Sequence, residues 1–165
     1  MKVQFKKCNP LAVIPKYAHD GDSGMDLFSV DEDITFFPSQ IKVIRTGLNV
    51  ILPQGYEAQI RPKSGLSAKG LVAILGTIDN GYRGEISVIA QYFGGQMFKV
   101  SKLSKIAQIV IQKVEQFEAE EVFKIDDKTS RGIGGFGSTG LILEGGNLWK
   151  WVLEKSFYNW KTNKK

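Results

Sequence analysis

The densest concentration of chemically useful residues lies in RGIGGFGSTG, Arg131 to Gly140. Gly132, Gly134 and Gly137 spell G-x-G-x-x-G, but a dinucleotide-binding turn needs a strand before it and a helix after it. Polar DDKTS precedes the stretch and LILEGG follows it, so that reading fails. A P-loop fails as well, because Ser138 stands where its lysine should be. What remains is an arm whose backbone N–H groups, Ser138 and Thr139 hydroxyls and Arg131 guanidinium are suited to close over a polyphosphate. Phe136, set among glycines, has no local core to join and is placed to stack on a base. Taken alone, the stretch reads as a glycine linker.

Four further segments carry similar chemistry. In RPKSGLSAKG, Arg61 to Gly70, Ser64 and Gly65 follow a strand and open a short turn, which presents N–H groups and a hydroxyl to an anion. Arg61 or Lys63 would add positive charge. GTIDNGYRGEI, Gly76 to Ile86, sets Asp79 and Tyr82 on a tight turn, so that one carboxylate is surrounded by rigidly aimed main-chain groups. Arg83 and Glu85 read there as a structural charge pair. DSGMDL offers Asp26 to arrange a hydrated cation, and KIAQIVI places Lys105 and Gln108 at or within an apolar strand. Each segment has an ordinary alternative: an exposed turn, an Asn-Gly hairpin, or a buried structural glutamine.

These groups must be held by strands. Short runs rich in Val, Ile and Phe recur between Gly, Pro, Asn and Asp at intervals of roughly ten residues, the pattern of a sandwich or barrel. Strands are expected at Val3 to Lys6, Ile34 to Phe37, Ile41 to Ile44, Leu48 to Leu52, Glu57 to Arg61, Glu85 to Gln91 and Ile106 to Lys113. Asn80-Gly81 between apolar runs signals a type I′ hairpin. No helical period precedes the C-terminus apart from a short turn around Ser64 to Lys69, which leaves mainly antiparallel β structure. Asp126 to Ser130 has little to bury and should run over the surface. From Asn147 the period changes: Trp149, Val152, Leu153, Phe157 and Trp160 share one broad helical face, with Asn147 placed to cap it.

At 165 residues and 42% hydrophobic content, the chain can bury one proper core, so one domain with appendages is expected. No apolar run reaches 18 residues and the opening MKVQFKKCNP has no apolar stretch suited to secretion. A cytosolic or nuclear protein with no membrane association is the expectation. The single cysteine, Cys8, excludes an internal disulfide and a thiolate metal cluster. A net charge of +5 suits an anionic partner, but Lys and Arg are scattered among acids until the last few positions. A phosphorylated small molecule therefore fits as well as nucleic acid, and direct nucleic-acid binding is not expected.

Together and in this order, DSGMDL, RPKSGLSAKG, GTIDNGYRGEI, KIAQIVI and RGIGGFGSTG resemble the five motifs of the trimeric dUTPase family. The likeness spans nearly everything from Cys8 to Gly140, including the spacer TGLNVILPQGYEAQI. It implies an all-β, dUTPase-like β-clip or jelly-roll barrel over residues 1–130, an active-site arm over 131–140 and a C-terminal extension, expected to be helical, over 141–165. It implies a homotrimer with shared active sites that converts dUTP to dUMP and pyrophosphate, limiting uracil in DNA and supplying dUMP for thymidylate synthesis.

Residue by residue, the resemblance makes Asp79 the general base that activates the water attacking the α-phosphorus. Ile78 to Tyr82 would present main-chain groups to uracil, with Tyr82 beneath the deoxyribose. Lys63, Ser64, Gly65 and Gln108 would hold the α- and β-phosphates, and Arg131, Ser138 and Thr139 the γ-phosphate. Phe136, beside Gly137, would stack over uracil as the arm closes. Mg²⁺ is the implied cofactor, held mainly by phosphate and water, with Asp26 acting on it indirectly through water.

Three departures from the family pattern stand out: Lys63 replaces an arginine, Ser104 replaces the acid before the basic residue Lys105, and the chain continues past the arm. Two alternatives follow from the resemblance. One is a dCTP deaminase-type enzyme of the same fold; the other is a dUTPase body that also binds a protein partner through residues 141–165.

Overall fold

The computed structural model describes residues 2–126, 128–135 and 138. The chain divides into two compact units, Met1–Glu118 and Ala119–Lys165. In the first, eleven strands and one short helix follow in the order β1 (Gln4–Lys7), β2 (Met25–Phe28), β3 (Ile34–Phe36), β4 (Ile41–Arg45), β5 (Leu48–Ile51), β6 (Tyr56–Arg61), α1 (Ser64–Ser67), β7 (Leu71–Ala73), β8 (Gly76–Ile78), β9 (Ser87–Tyr92), β10 (Phe98–Val100) and β11 (Lys105–Lys113). The all-β expectation holds. Among the described residues, no helix is long and apolar enough to cross a membrane.

All pairings are antiparallel. The functional sheet has the order β2-β11-β6-β8, a three-stranded sheet has β4-β9-β7, and two ribbons pair β1 with β5 and β10 with β3. Alternation along each strand decides what faces inward. In the functional sheet, Leu27, Ala58, Ile60, Ile78, Ala107 and Ile109 are buried and join Phe36, Ile44, Leu48, Ile86 and Val88 in one apolar cluster. Each of the Leu, Ile, Val and Phe side chains among them removes enough apolar surface from water to contribute roughly 1.5–3 kcal/mol.

The other face of that sheet carries its charged and amide side chains, alongside Phe28 and the buried Val110. Cross-strand partners point the same way, so Asp26, Gln108 and Arg61 share a face, and Gln59 stands opposite Thr77 on it. The sheet thus separates a dry side from a side on which charged groups remain half-exposed.

Four strands escaped the sequence reading: β2, β7, β8 and β10, three or four residues each. Their pairing is set by long-range neighbours, and runs so short carry too little periodicity to stand out. A second departure concerns Asn80-Gly81. β8 pairs with β6, not with β9, and neither Asn80 nor Gly81 has positive φ, so the type I′ hairpin does not form. The turn closes by Tyr82 N–H donating to the Asp79 carbonyl at 3.0 Å. Positive φ is found instead at Gly47 between β4 and β5 (φ 67°), where an added Cβ would lie 2.6 Å from that of Asn9.

Candidate functional site

Ser64 begins α1, directly after Lys63, whose extended backbone (φ −98°, ψ 126°) precedes the helix. The first amides of any helix lack an intrahelical acceptor, so Ser64 and Gly65 present free N–H groups. Both residues are exposed. The Lys63 carbonyl accepts from Leu66 and Ser67 at 3.0 and 2.9 Å, which fixes the bend from β6 into α1.

Beside this turn, Gln108 on β11 pairs with Asp26 on one side and Arg61 on the other. Its Nε2 donates to the Pro62 carbonyl at 2.9 Å, which orients the amide. Gly24 approaches the Gln108 side chain so closely that an added Cβ would collide with Oε1. Only a residue without Cβ leaves the glutamine in place.

Asp26 gathers the charge here. Its Oδ1 takes the Lys63 ammonium and its Oδ2 the Lys105 ammonium at 2.7 Å, while its own side chain is mostly covered. Burial opposes ionisation of Asp26, but hydrogen bonds from Lys105 and then Lys63, reinforced by their charges, prevail and hold the carboxyl below its ordinary value.

Asp79 follows β8 and is exposed. The turn it opens is pinned from three directions. Asn80 Nδ2 donates to the Leu52 and Pro53 carbonyls at 2.8 and 2.7 Å. Arg83 Nη1 donates to the Asn80 and Tyr82 carbonyls at 2.6 and 2.8 Å. Tyr82 Oη donates to the Glu85 carbonyl at 3.1 Å, and its ring crosses Gly84 where a Cβ would clash. Ile78, by contrast, is buried and anchors the turn to Ala58. A cavity of about 610 Å³ opens beside the turn, bounded by Asp79, Asn80 and Gly81 and by Gln54 to Glu57.

The expected Arg83–Glu85 pair is not formed. Glu85 instead accepts from Arg45 at 3.1 Å and from the Gly47 amide at 2.8 Å, because Arg83 turns back to cap its own loop. Sequence reading also missed a row along β6: Arg61 donates to Gln59 Oε1 at 2.8 Å, and Gln59 Nε2 donates to Glu57 Oε1 at 2.6 Å. The alternation of polar residues in YEAQIR was the available signal.

The structure brings Asp26, Lys63, Ser64, Gly65 and Gln108 to one end of β6 and Asp79 and Tyr82 to the other. Ile78 lies opposite Ala58, whereas Gln108 lies opposite Arg61. Extending the β8 register by one residue sets Asp79 beside Glu57, four positions from Arg61. At roughly 3.3 Å per residue this is about 13 Å along the strand, and Ser64 lies further on.

In the second unit, the described part of the arm is a succession of tight turns. Gly132 N–H donates to both the carbonyl and the hydroxyl of Thr129 at 3.1 and 3.0 Å. Arg131 Nε donates to the Gly134 carbonyl at 3.0 Å, and Ser138 N–H to the Gly135 carbonyl at 3.2 Å. Arg131 and Ser138 are exposed. Phe136, Gly137 and Thr139, like the helix expected within 141–165, lie outside the described residues.

A family model described as dUTPase matches residues 11–140. A deoxyuridine 5'-triphosphate nucleotidohydrolase of Trichodesmium erythraeum is 51% identical over 143 residues, covering 85% of this chain and 99% of the relative. One from Clostridium novyi is 50% identical over 144 residues, covering 86% of this chain and all of the relative. Among solved structures, a mutant dUTPase of Staphylococcus bacteriophage 80alpha, determined with dUpNHpp, superposes with a TM-score of 0.77 at 28% identity. It covers 85% of this chain and 99% of the phage chain. A mutant dUTPase from phage phi11 of S. aureus, described with a structural Mg(II) ion, shares the fold with a TM-score of 0.72 at 24% identity, covering 76% and 99%.

Proposed function

The chain belongs to the dUTPase family and hydrolyses dUTP, and from that premise we propose that it works through a site divided between protomers, with Asp79 as the base. The observation that carries this reading is the pinned Asp79 turn. Its carboxylate is exposed to water while Asn80, Arg83 and Tyr82 hold the backbone beneath it. In-line attack on the α-phosphorus needs a water whose proton leaves toward a base within hydrogen-bond reach, and a rigid turn supplies that aim without reorganisation. As Asp79 takes the proton, the oxygen attacks phosphorus and pyrophosphate departs from the opposite side.

Main-chain groups from Ile78 to Tyr82 receive uracil, and the Tyr82 ring supports the deoxyribose. Ser64, Gly65, Lys63 and Gln108 hold the α- and β-phosphates through amides, hydroxyl, ammonium and carboxamide. Arg131, Ser138 and Thr139 take the γ-phosphate, and Phe136, next to Gly137, closes over the base. Lys63 supplies charge as a point rather than as a planar fork.

Mg²⁺ is the cofactor of this scheme. Among the described residues, no cluster of three His, Cys, Asp or Glu could hold an ion directly. The donors that are present fit a cation held by triphosphate oxygens and water: Asp26 is kept ionised, but both its oxygens are engaged by ammonium groups, so it would reach such an ion only through water. When bound, the ion would neutralise charge developing on the leaving pyrophosphate.

Two observations support a homotrimer with shared sites. Asp79 and Ser64 lie at opposite ends of β6, further apart than one α-phosphate could bridge. Across the three-stranded sheet, Val43 stands opposite Ile89, and the Ile89 carbonyl accepts from Ile74 N–H at 2.7 Å. All three side chains are exposed, forming an apolar row of the kind a second subunit covers. A dUTP pool and a lone exposed thiol, Cys8, fit a cytosolic setting.

The test is to incubate the protein with dUTP, dCTP, dTTP or UTP, with and without Mg²⁺, and to measure pyrophosphate and ammonia. Pyrophosphate from dUTP alone, dependent on Mg²⁺, is expected. Ammonia from dCTP would mark a deaminase instead.

A further inference from the structure

Asn80 is the only asparagine of the chain that is followed by glycine. The step lies in the turn that carries Asp79, and hydrolysis makes no use of its reactivity. An asparagine amide is open to attack by the backbone nitrogen of the next residue, and glycine hinders that attack least because it has no Cβ.

The structure leaves the attacking group free. Gly81 is exposed, a Cβ built on it would meet nothing within 4 Å, and among the described residues no backbone carbonyl takes its N–H. A five-membered ring closing here therefore finds room, and water reaches it. The restraint comes from the amide under attack. Nδ2 has two protons and gives both, to the Leu52 and Pro53 carbonyls at 2.8 and 2.7 Å. The Asn80 main-chain carbonyl is held by Arg83 Nη1 at 2.6 Å, within a turn closed by Tyr82 N–H on the Asp79 carbonyl. The carboxamide can swing toward the Gly81 nitrogen only after both Nδ2 bonds are broken.

We propose that Asn80 is a site of spontaneous modification, which cyclises onto Gly81 and opens to an isoaspartyl linkage that inactivates the enzyme. The Gly81 N–H gives its proton to hydroxide, the nitrogen bonds to Asn80 Cγ, and the Cγ–Nδ2 bond breaks as ammonia departs with a proton from water. Water then hydrolyses the succinimide. Opening at the former main-chain carbonyl leaves the chain running through Cβ and Cγ, one atom longer; opening at Cγ leaves aspartate. Both products lose the Nδ2 donor to Leu52 and Pro53, and the added atom displaces Gly81 and Tyr82 relative to Asp79. The loss of activity rests on the reading of this turn as the mount of the base and the receiver of uracil, whereas the conversion itself does not.

The experiment ages the full-length protein and its Gly81→Ala variant at mildly alkaline pH, beside a synthetic GTIDNGYRGE peptide. Peptide mass mapping, isoaspartyl methyltransferase labelling and dUTP turnover in Mg²⁺ are followed together. Isoaspartate is expected at residue 80, forming roughly thirtyfold more slowly than in the peptide, as two ordinary hydrogen bonds to be broken predict. Turnover falls in step with the converted fraction. In Gly81→Ala, where a Cβ crowds the attacking nitrogen, conversion and the loss of that variant's own starting turnover both slow by about tenfold. Asn80 intact after about a hundred peptide half-lives, turnover unchanged in converted protein, or turnover lost as fast in Gly81→Ala overturns the proposal. Fresh protein that releases no pyrophosphate from dUTP overturns the functional reading and the claim of inactivation with it, while the mass map still decides the conversion.

Discussion

Asp26 lies within β2 and Asp79 just past β8 of the same sheet, and their surroundings give them different work. Asp79 is exposed on a turn whose backbone is tied to Leu52, Pro53 and Glu85. Replacing it with Asn keeps size and polarity but removes the proton acceptor. Asp79→Asn should therefore bind dUpNHpp nearly as well as the unsubstituted enzyme while kcat falls by at least about a hundredfold; a kcat within a few-fold of normal would remove Asp79 from the chemistry. Asp26 is covered and paired. Its folded-state carboxyl titrates below the ordinary value of 3.8, so the ion pairs contribute stability that is present above that pH and is lost as pH falls through the depressed value. Denaturant midpoints measured from pH 6 down to pH 2 should drop more steeply for the unsubstituted protein than for Asp26→Asn. Parallel curves would show that the pairs contribute nothing. The sequence allowed these residues to be singled out by type and order. It could not show that Asp26 would hold two lysines, since that depends on β11 lying between β2 and β6.

At the scale of elements, most strands were legible because apolar-rich runs of four to eight residues between Gly, Pro and Asn signal themselves. β8 was not: GTI is three residues long, and only its pairing with Ala58 to Ile60 makes it a strand. The Asn80-Gly81 turn was misread for a related reason. Asn80 spends its side chain on the carbonyls of Leu52 and Pro53, so distant backbone rather than local φ preference fixes the turn. The bulge at Ile106, where the register of β11 against β2 shifts between Lys105 and Ala107, was equally hidden, because a one-residue shift in register leaves no compositional trace. Gly47 illustrates the opposite case, a glycine whose role follows from backbone geometry. It combines a φ of 67°, an Asn9 contact that forbids a Cβ and an amide that donates to Glu85. Gly47→Ala should cost at least about 2 kcal/mol, the sum of left-handed strain and a forced shift of neighbours. Urea unfolding measures it, and an unchanged midpoint would contradict this account of the β4–β5 turn.

At the scale of the molecule, the sequence pointed to an all-β protein and the motif order pointed to the family, but neither carried the spacing along β6 on which the proposed division of the site between protomers rests. The sheet order sets that spacing: β6 carries Ser64 beyond one end and has Asp79 near the other, so the proposed base and phosphate grip of one protomer are set apart along the strand. The exposed row of Val43, Ile89 and Ile74 gives association a surface. The most direct test of the central claim is to refold Asp79→Asn and Ser64→Ala chains together and measure dUTP turnover. If each site takes Asp79 from one protomer and Ser64 from another, both single variants are nearly inactive, yet an equal mixture recovers about a quarter of normal activity, since a quarter of sites draw both intact groups. A mixture no more active than its separate components would contradict the divided site.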